Sequence, residues 1–127
     1  MKLDLHMSTG DAMVMFALLV VHWIADFIFQ KDAWAKAKSS DNIALAKHIG
    51  TYTAILFFLT LDFASVGKVF HFAMLNGVAH WITDYFTSRQ TKKLWQAGRV
   101  HDFFVVIGLD QVLHYVVLFW SAAVFLR

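Results

Sequence analysis

The chain has 127 residues, of which 59% are hydrophobic and only 16% are charged, and its mean hydropathy is +0.57. Soluble domains are usually about 45–50% apolar and about 25% charged, so this composition indicates a membrane protein with several spans. The net charge of +2 is too small to indicate a nucleic-acid partner. The chain has no Cys, which excludes disulfides and thiolate metal ligands, and no Pro.

Four apolar stretches approach the roughly 20 residues that a membrane-spanning helix needs. They cover about residues 12–29, 46–63, 69–86 and 103–126. We therefore expect an all-α polytopic membrane protein in which residues 1–127 form one domain, a bundle of four transmembrane helices. No small-residue cleavage site follows the first stretch, so we interpret it as a permanent span rather than a signal peptide.

The connections on one side of this bundle carry most of the basic residues. The first connection, with its edge, and the third connection hold eight of them: Lys31, Lys36, Lys38, Lys47, Arg89, Lys92, Lys93 and Arg99. The other side has only Lys2, Lys68 and Arg127. Because basic loops stay in the cytoplasm, we expect both of these connections to be cytoplasmic and both termini to lie outside. Trp34 and Trp95 are predicted to anchor short amphipathic segments at the cytoplasmic headgroups.

One phrase occurs twice, 58 residues apart: the segments 22–27 and 80–85 read HWIADF and HWITDY. Each copy places a His and an Asp four residues apart, on one face of a helix. The first and third spans run in the same direction, which indicates a parallel internal repeat about an axis along the membrane normal. Ionisable groups are costly within a membrane, so two copies of one pair indicate a built site.

The other two spans carry polar pairs at a similar depth. Asp110 and His114 reverse the order of His and Asp, as expected for a helix of opposite direction, and His48 and Tyr52 are again four residues apart. Three mid-span Asp residues would cost roughly 8–10 kcal/mol on the insertion scale. No Lys or Arg lies near them within the predicted spans, so protonated His or a bound metal is expected to compensate. Facing helices of a bundle can hold such a metal.

Seven side chains are therefore predicted to be metal ligands: His22, Asp26, His48, His80, Asp84, Asp110 and His114. They exceed the needs of one tetrahedral ion, so we expect one or two divalent ions. Nitrogen and oxygen donors suit zinc, manganese or iron(II), and zinc is our first expectation. Gln30, Tyr52 and Gln111 are predicted to orient these ligands.

The same motifs, in the same order, resemble a known family. They are His22-x3-Asp26-x3-Gln30, Lys38, His48-x3-Tyr52, His80-x3-Asp84 and Asp110-Gln111-x2-His114. The chain, from about residue 16 to 115, resembles a small bacterial and phage inner-membrane family catalogued as a domain of unknown function. Ser88-Arg89 departs from the family pattern, which has a Lys there. More distantly, the chain is similar to membrane-bound proteins described as metal-dependent hydrolases, which implies an activity only by analogy.

The leading functional hypothesis is a metal-dependent hydrolase that acts on a lipid or phosphoester at the cytoplasmic interface. His48 and Asp110 are the candidate catalytic residues, with His48 either a seventh ligand or a general base, and Lys38 and Arg89 are expected to hold an anionic headgroup. No G-x-S-x-G motif is present, so a serine hydrolase is disfavoured. The alternatives are a proton or metal-ion transporter and a non-catalytic membrane adaptor. Membrane lipids are the expected partners, and a homo-oligomer is compatible with the sequence.

Overall fold

The computed structural model describes residues 6–127, so Lys2, which entered the charge count above, lies outside the described part of the chain. The fold is all-helical, with 85% helix and no strand among the described residues. Five α-helices follow one another along the chain: α1 Thr9–Trp23, α2 Asp32–Ala37, α3 Asn42–Leu59, α4 Val66–Gln96 and α5 Val100–Phe125. A π-helical turn (Ile24–Ile28) continues α1, and a 3-10 turn (Leu61–Phe63) follows α3.

Local sequence signals set the ends of the long helices. Ser8 and Asp11 form a capping box that starts α1, and the Asp41 side chain accepts a hydrogen bond from the Ile43 amide at the start of α3. The turn between α4 and α5 needs Gly98, whose φ of 69° lies in the left-handed region. The Arg99 amide there donates back to the Leu94 carbonyl, which ends α4 and reverses the chain.

The first long helix changes its winding where it reaches the repeated phrase. His22 lies in the last turn of α1, while Asp26 lies inside the π-helical turn. Such single π turns inside helices occur frequently at functional sites, because the wider turn re-aims a side chain. The predicted first span, at about residues 12–29, agrees with the candidate span Thr9–Ile28, and the last turn of that span is π-helical.

Three helical segments are long and apolar enough to cross a membrane: Thr9–Ile28, Asn42–Leu59 and Val100–Phe125. The prediction of a membrane protein is confirmed to that extent. Helix α4 is longer than any of them but is not in this group. Its apolar part carries Lys68, His71, Asn76, His80 and Asp84, and these polar residues reduce its hydropathy.

Helix α4 also runs ten residues beyond the end of the predicted third span. We expected residues 87–102 to be a polar connection, but most of them continue the helix, so the connection shrinks to residues 97–99. Trp95 lies in the last turn of α4 rather than in a separate amphipathic segment, whereas Trp34 does lie in the short helix α2. On α2, Lys36 donates to Asp32 across one exposed turn, and this contact raises the pKa of Lys36.

Helices α3 and α5 both pack along α4, and α1 with its π turn packs against α3 and α5. A layer of apolar side chains closes one half of the bundle, formed mainly by Leu18, Leu56, Phe72, Leu118 and Ala122. Helix α3 packs closely on α4 at Gly77, where an added Cβ would overlap the Thr53 side chain. Large apolar side chains are exposed on all four long helices, among them Phe16, Phe58, Trp81 and Trp120. This exposure fits a lipid environment.

Candidate metal centre

The seven predicted ligands come from all four long helices and the π turn, and every one of them is buried. Relative exposure ranges from 0% for His22 and His48 to 8% for Asp110. They lie at the same end of the bundle, from about one helical turn (Leu18 to His22) to about three turns (Phe72 to Asp84) beyond the apolar layer. We call this set of seven side chains the polar cluster.

The tightest part of the polar cluster surrounds two imidazole nitrogens. His48 Nε2 and His80 Nε2 are 3.1 Å apart, and Asp26 Oδ1 lies 3.1 and 3.2 Å from them. Asp84 Oδ2 lies 3.3 Å from His48 Nε2 and 3.5 Å from His80 Nε2. One nitrogen can carry a single N–H, so hydrogen bonds between these atoms cannot satisfy all five approaches.

These spacings fit a metal ion. With bonds of about 2.0–2.2 Å, the ligands of a tetrahedral ion lie roughly 3.3–3.6 Å from one another. The two imidazole nitrogens form a triangle with sides of 3.1–3.5 Å with either carboxylate oxygen, which is close to the spacing of three ligands of one ion. The donor set of two imidazoles and two carboxylates is one that zinc, manganese or iron(II) accepts.

A second group of donors adjoins the first. His114 Nε2 lies 3.2 Å from Asp84 Oδ1 and 3.2 Å from Asp110 Oδ2. Asp84 thus directs one oxygen towards the His48–His80 pair and the other towards His114. Among the described residues, the groups able to hold a metal ion are Asp26–His80–His114, His48–His80–Asp84 and Asp84–Asp110–His114.

His22 belongs to none of these metal-holding groups. Its Nδ1 is 3.1 Å from the Tyr52 hydroxyl, and its Nε2 is 3.3 Å from Gln111 Oε1 and 3.5 Å from Asp26 Oδ2. The Gln111 amide nitrogen donates to Asp26 and, at 3.1 Å, to Asp110. Gln111 therefore contacts two carboxylates of the metal-holding groups, whereas the Tyr52 hydroxyl contacts His22. Unlike His22, both His48 and His80 have a buried Nδ1 with no hydrogen-bond partner.

A basic residue, Lys38, contacts the carboxylates of the polar cluster, contrary to the expectation from the sequence. No basic residue was expected near the three carboxylates, but Lys38 reaches in from the end of α2 and donates a 2.7 Å hydrogen bond to Asp84 Oδ2. Its side chain is 18% exposed, against 3% for Asp84. One of the three negative charges is therefore compensated by the protein itself, which leaves two for His protonation or a metal.

A pocket of about 670 Å³ adjoins the polar cluster. All three carboxylates of the cluster line it, together with the basic residues Lys36, Lys38 and Lys92. Most of the remaining wall is apolar, including Phe27, Trp95, Phe103, Phe104 and Ile107. Gln30 and Ser88 also line this pocket, and the buried oxygens of both side chains have no hydrogen-bond partner. We call this 670 Å³ pocket the basic pocket.

The positions of Arg89 and Thr87 differ from those expected from the sequence. Arg89 does not line the basic pocket: its guanidinium stacks on the Tyr85 ring at 3.7 Å and donates to Asn42 at the start of α3. Thr87 was missed, yet its hydroxyl donates to Asp110 Oδ1. A spacing of four residues along the helix leads from His80 and Asp84 to Ser88, whereas Thr87, three residues after Asp84, makes this contact.

A family model matches residues 14–126, and its description is "Protein of unknown function (DUF3307)". The chain belongs to this family. The match covers most of the sequence and confirms the resemblance to a domain of unknown function. No curated protein and no solved structure matches the chain. The more distant resemblance to metal-dependent hydrolases stays a prediction.

The structure of this DUF3307 protein defines a helical fold and a polar cluster, and the family description carries no activity. Apolar helices suited to a membrane surround buried His and Asp groups that can bind a metal ion. The identity of that metal and the individual roles of the predicted ligands stay predictions.

Proposed function

We propose that this protein is a membrane-embedded, metal-dependent hydrolase that cleaves a phosphoester in an anionic amphiphile at the cytoplasmic face of the bacterial inner membrane. One observation carries the proposal. Two imidazole nitrogens and a carboxylate oxygen with the spacing of metal ligands adjoin a pocket that is lined by lysines and aromatic side chains.

The proposed membrane arrangement has four spans, with α4 as the third. Helix α4 packs along both α3 and α5, so it must cross with them if they cross. Its polar residues His80 and Asp84 are buried at 1% and 2% exposure, which removes them from lipid. The two copies of the repeated phrase then belong to helices that run in the same direction.

The side of the membrane follows from the basic residues. Lys36, Lys38 and Lys92 line the basic pocket, and the end of the bundle that holds them is the end expected in the cytoplasm. The pocket then opens at the level of the lipid headgroups, where water and an amphiphile both have access.

Each part of the site has a chemical role in this proposal. When bound, a divalent ion lowers the pKa of water to about 7 and polarises a phosphoryl oxygen. His48 does not line the basic pocket and its Nε2 faces the other donors, so it serves as a ligand rather than as a general base. Asp110 lines the pocket, and its carboxylate accepts hydrogen bonds from Thr87 and Gln111. These bonds fix the carboxylate at the place where the substrate reacts.

The walls of the basic pocket define the substrate class. Its volume of about 670 Å³ lies in the range of small-molecule sites. Lys38 and Lys92 can pair with phosphate oxygens, and the unpartnered oxygens of Gln30 and Ser88 can accept or exchange hydrogen bonds with a polar headgroup. The aromatic and aliphatic wall suits the acyl part of the same molecule.

The apolar layer disfavours transport. Leu18, Leu56, Phe72 and Leu118 are each 0% exposed and close the bundle beyond the polar cluster. The buried Asn76 side chain in that half is bonded to Ser121 and to its own helix, so it is a clamp between α4 and α5. Access from one side only is what an enzyme at the interface needs.

The test is hydrolysis of anionic phospholipids and of a soluble chromogenic phosphodiester by the purified protein, in lipid vesicles, with zinc or manganese added. We expect metal-dependent release of product that chelation abolishes and Asp110→Asn lowers by more than tenfold. Asp62→Asn, at an exposed acidic residue far from the pocket, is the matched control and should retain full activity. Equal activity in wild type and Asp110→Asn, or none on any phosphoester with metal bound, would overturn the proposal.

A further inference from the structure

We propose that the polar cluster holds two metal ions that share the carboxylate of Asp84, one in a closed site and one in a site with a free position. This inference rests on the metal centre of the proposed function and specifies its composition. Site 1 consists of His48 Nε2, His80 Nε2, Asp26 Oδ1 and Asp84 Oδ2. Site 2 consists of His114 Nε2, Asp110 Oδ2 and Asp84 Oδ1.

The two oxygens of Asp84 have different neighbours. Oδ2 lies 3.3 and 3.5 Å from the two imidazole nitrogens of site 1, whereas Oδ1 lies 3.2 Å from His114 in site 2. A carboxylate placed in this way bridges two ions, one on each oxygen. Two-metal hydrolytic centres hold their ions about 3.5–4 Å apart.

The rings of His80 and His114 fix the spacing between the sites. They stack with centroids 4.0 Å apart and planes within 8° of parallel. Because the nitrogen lone pair lies in the plane of the ring, two parallel rings direct their Nε2 atoms to two positions side by side rather than to one point. A single ion between them would have to bind above a ring face. Although the donor atoms of Asp26, His80 and His114 are close enough to form one group, the ring spacing of 4.0 Å matches two ions and opposes one ion shared by both rings.

The charge of the cluster agrees with this arrangement. With neutral imidazoles, the three buried carboxylates and Lys38 leave a formal charge of −2. One divalent ion would neutralise the centre and give it no attraction for an anion. Two divalent ions would leave +2, which is complementary to a phosphate ester dianion or to hydroxide with a phosphodiester.

The number of protein ligands separates the roles of the two sites. Site 1 has four donors, because each carboxylate oxygen lies within 3.5 Å of both imidazole nitrogens, and four protein ligands are the number that a structural ion takes. Site 2 has three donors, and two of its residues, Asp84 and Asp110, line the basic pocket. Three protein ligands and a free position are the pattern of a catalytic ion.

The experiment measures metal stoichiometry and magnetic coupling in the purified full chain, without reference to activity. Equilibrium dialysis with manganese or zinc should give two ions per chain for wild type and one for Asp110→Asn. The electron paramagnetic resonance spectrum of the manganese-loaded wild type should show spin coupling through the shared carboxylate. Asp110→Asn should show the spectrum of an isolated ion.

The matched control is Asp62→Asn, which should keep two coupled ions, and circular dichroism reports whether each variant retains its helices. The wild-type result alone decides the matter if a variant fails to fold: saturation at one ion, or two ions without coupling, overturns the inference. Two coupled ions in a protein without hydrolytic activity would support this inference and contradict the proposed function. The absence of any bound metal would contradict both the inference and the proposed function.

Discussion

Lys38 donates a 2.7 Å hydrogen bond to Asp84, a carboxylate 46 positions further along the chain. The contact joins the short helix α2 to the centre of the polar cluster. It places a fixed positive charge on the same oxygen that faces His48 and His80. In the metal-free protein, Lys38 therefore supplies a permanent positive charge among the buried carboxylates, and its removal should reveal how strongly the cluster needs positive charge.

Lys38→Met should destabilise the metal-free protein, because it keeps the aliphatic stem but leaves a nearly buried charge without its partner. We expect a loss of about 1–3 kcal/mol, typical of a buried polar group deprived of its hydrogen bond. Thermal unfolding in detergent, with chelator present, measures the effect. Added zinc should restore most of the loss, since the metal supplies the missing charge.

The matched control for this prediction is Lys36→Met, two residues away on α2. Its ion pair with Asp32 is fully exposed, and exposed pairs contribute little to stability. Equal destabilisation by the two substitutions would show that Asp84 does not depend on Lys38.

Gln111→Ala should weaken metal binding by about 10–100-fold, the usual effect of removing a partner that orients ligands. Its amide contacts His22, Asp26 and Asp110, so three members of the cluster lose a fixed position together. Competition with a chromogenic chelator measures the affinity. Gln90→Ala, at an exposed position of α4, should leave the affinity unchanged, and an unaltered affinity in Gln111→Ala as well would contradict this role.

Gly77→Ala should destabilise the bundle by about 1–3 kcal/mol, because the new methyl group would overlap Thr53 where α3 and α4 meet. Gly50→Ala provides the comparison: nothing lies within 4 Å of its added Cβ, so the substitution should be neutral or stabilising. Thermal unfolding of both variants in the same detergent distinguishes them. Similar stabilities would show that the helices are not in close contact at Gly77.

The proposed topology can be tested with single cysteines, because the natural chain has none. Ser40 and Ser65 are exposed and lie near opposite ends of the bundle, between α2 and α3 and at the start of α4. In intact bacterial cells, a membrane-impermeant thiol reagent should label Ser65→Cys but not Ser40→Cys. Labelling of Ser40→Cys alone would show that the orientation is the opposite one, with the basic pocket on the outer side of the membrane.

The sequence was sufficient to predict that polar residues of four helices meet at one end of a helical bundle. Spacings of four residues and the alternation of helix direction determine this, and both can be read along a single chain. The burial of Asp26, His48, Asp84 and His114 together agrees with that reasoning.

Other features depend on contacts between distant residues or on local deviations that periodicity does not reveal. The π turn around Asp26 breaks the regular spacing without any Pro or Gly to signal it. Lys38 belongs to a segment interpreted as a loop, and its long side chain reaches inward only because α2 folds back over the bundle. The length of α4 was underestimated because its polar end is still a good helix former, while its turn is set by Gly98.

Elemental analysis of the protein purified from its membrane, in detergent and without added metal, tests the central claim most directly. We predict at least one tightly bound divalent transition-metal ion per chain in wild type and in Asp62→Asn, and its loss in Asp84→Asn, since Asp84 faces both groups of donors. A folded wild-type protein that contains no such metal and takes up none from zinc or manganese solutions would contradict the account.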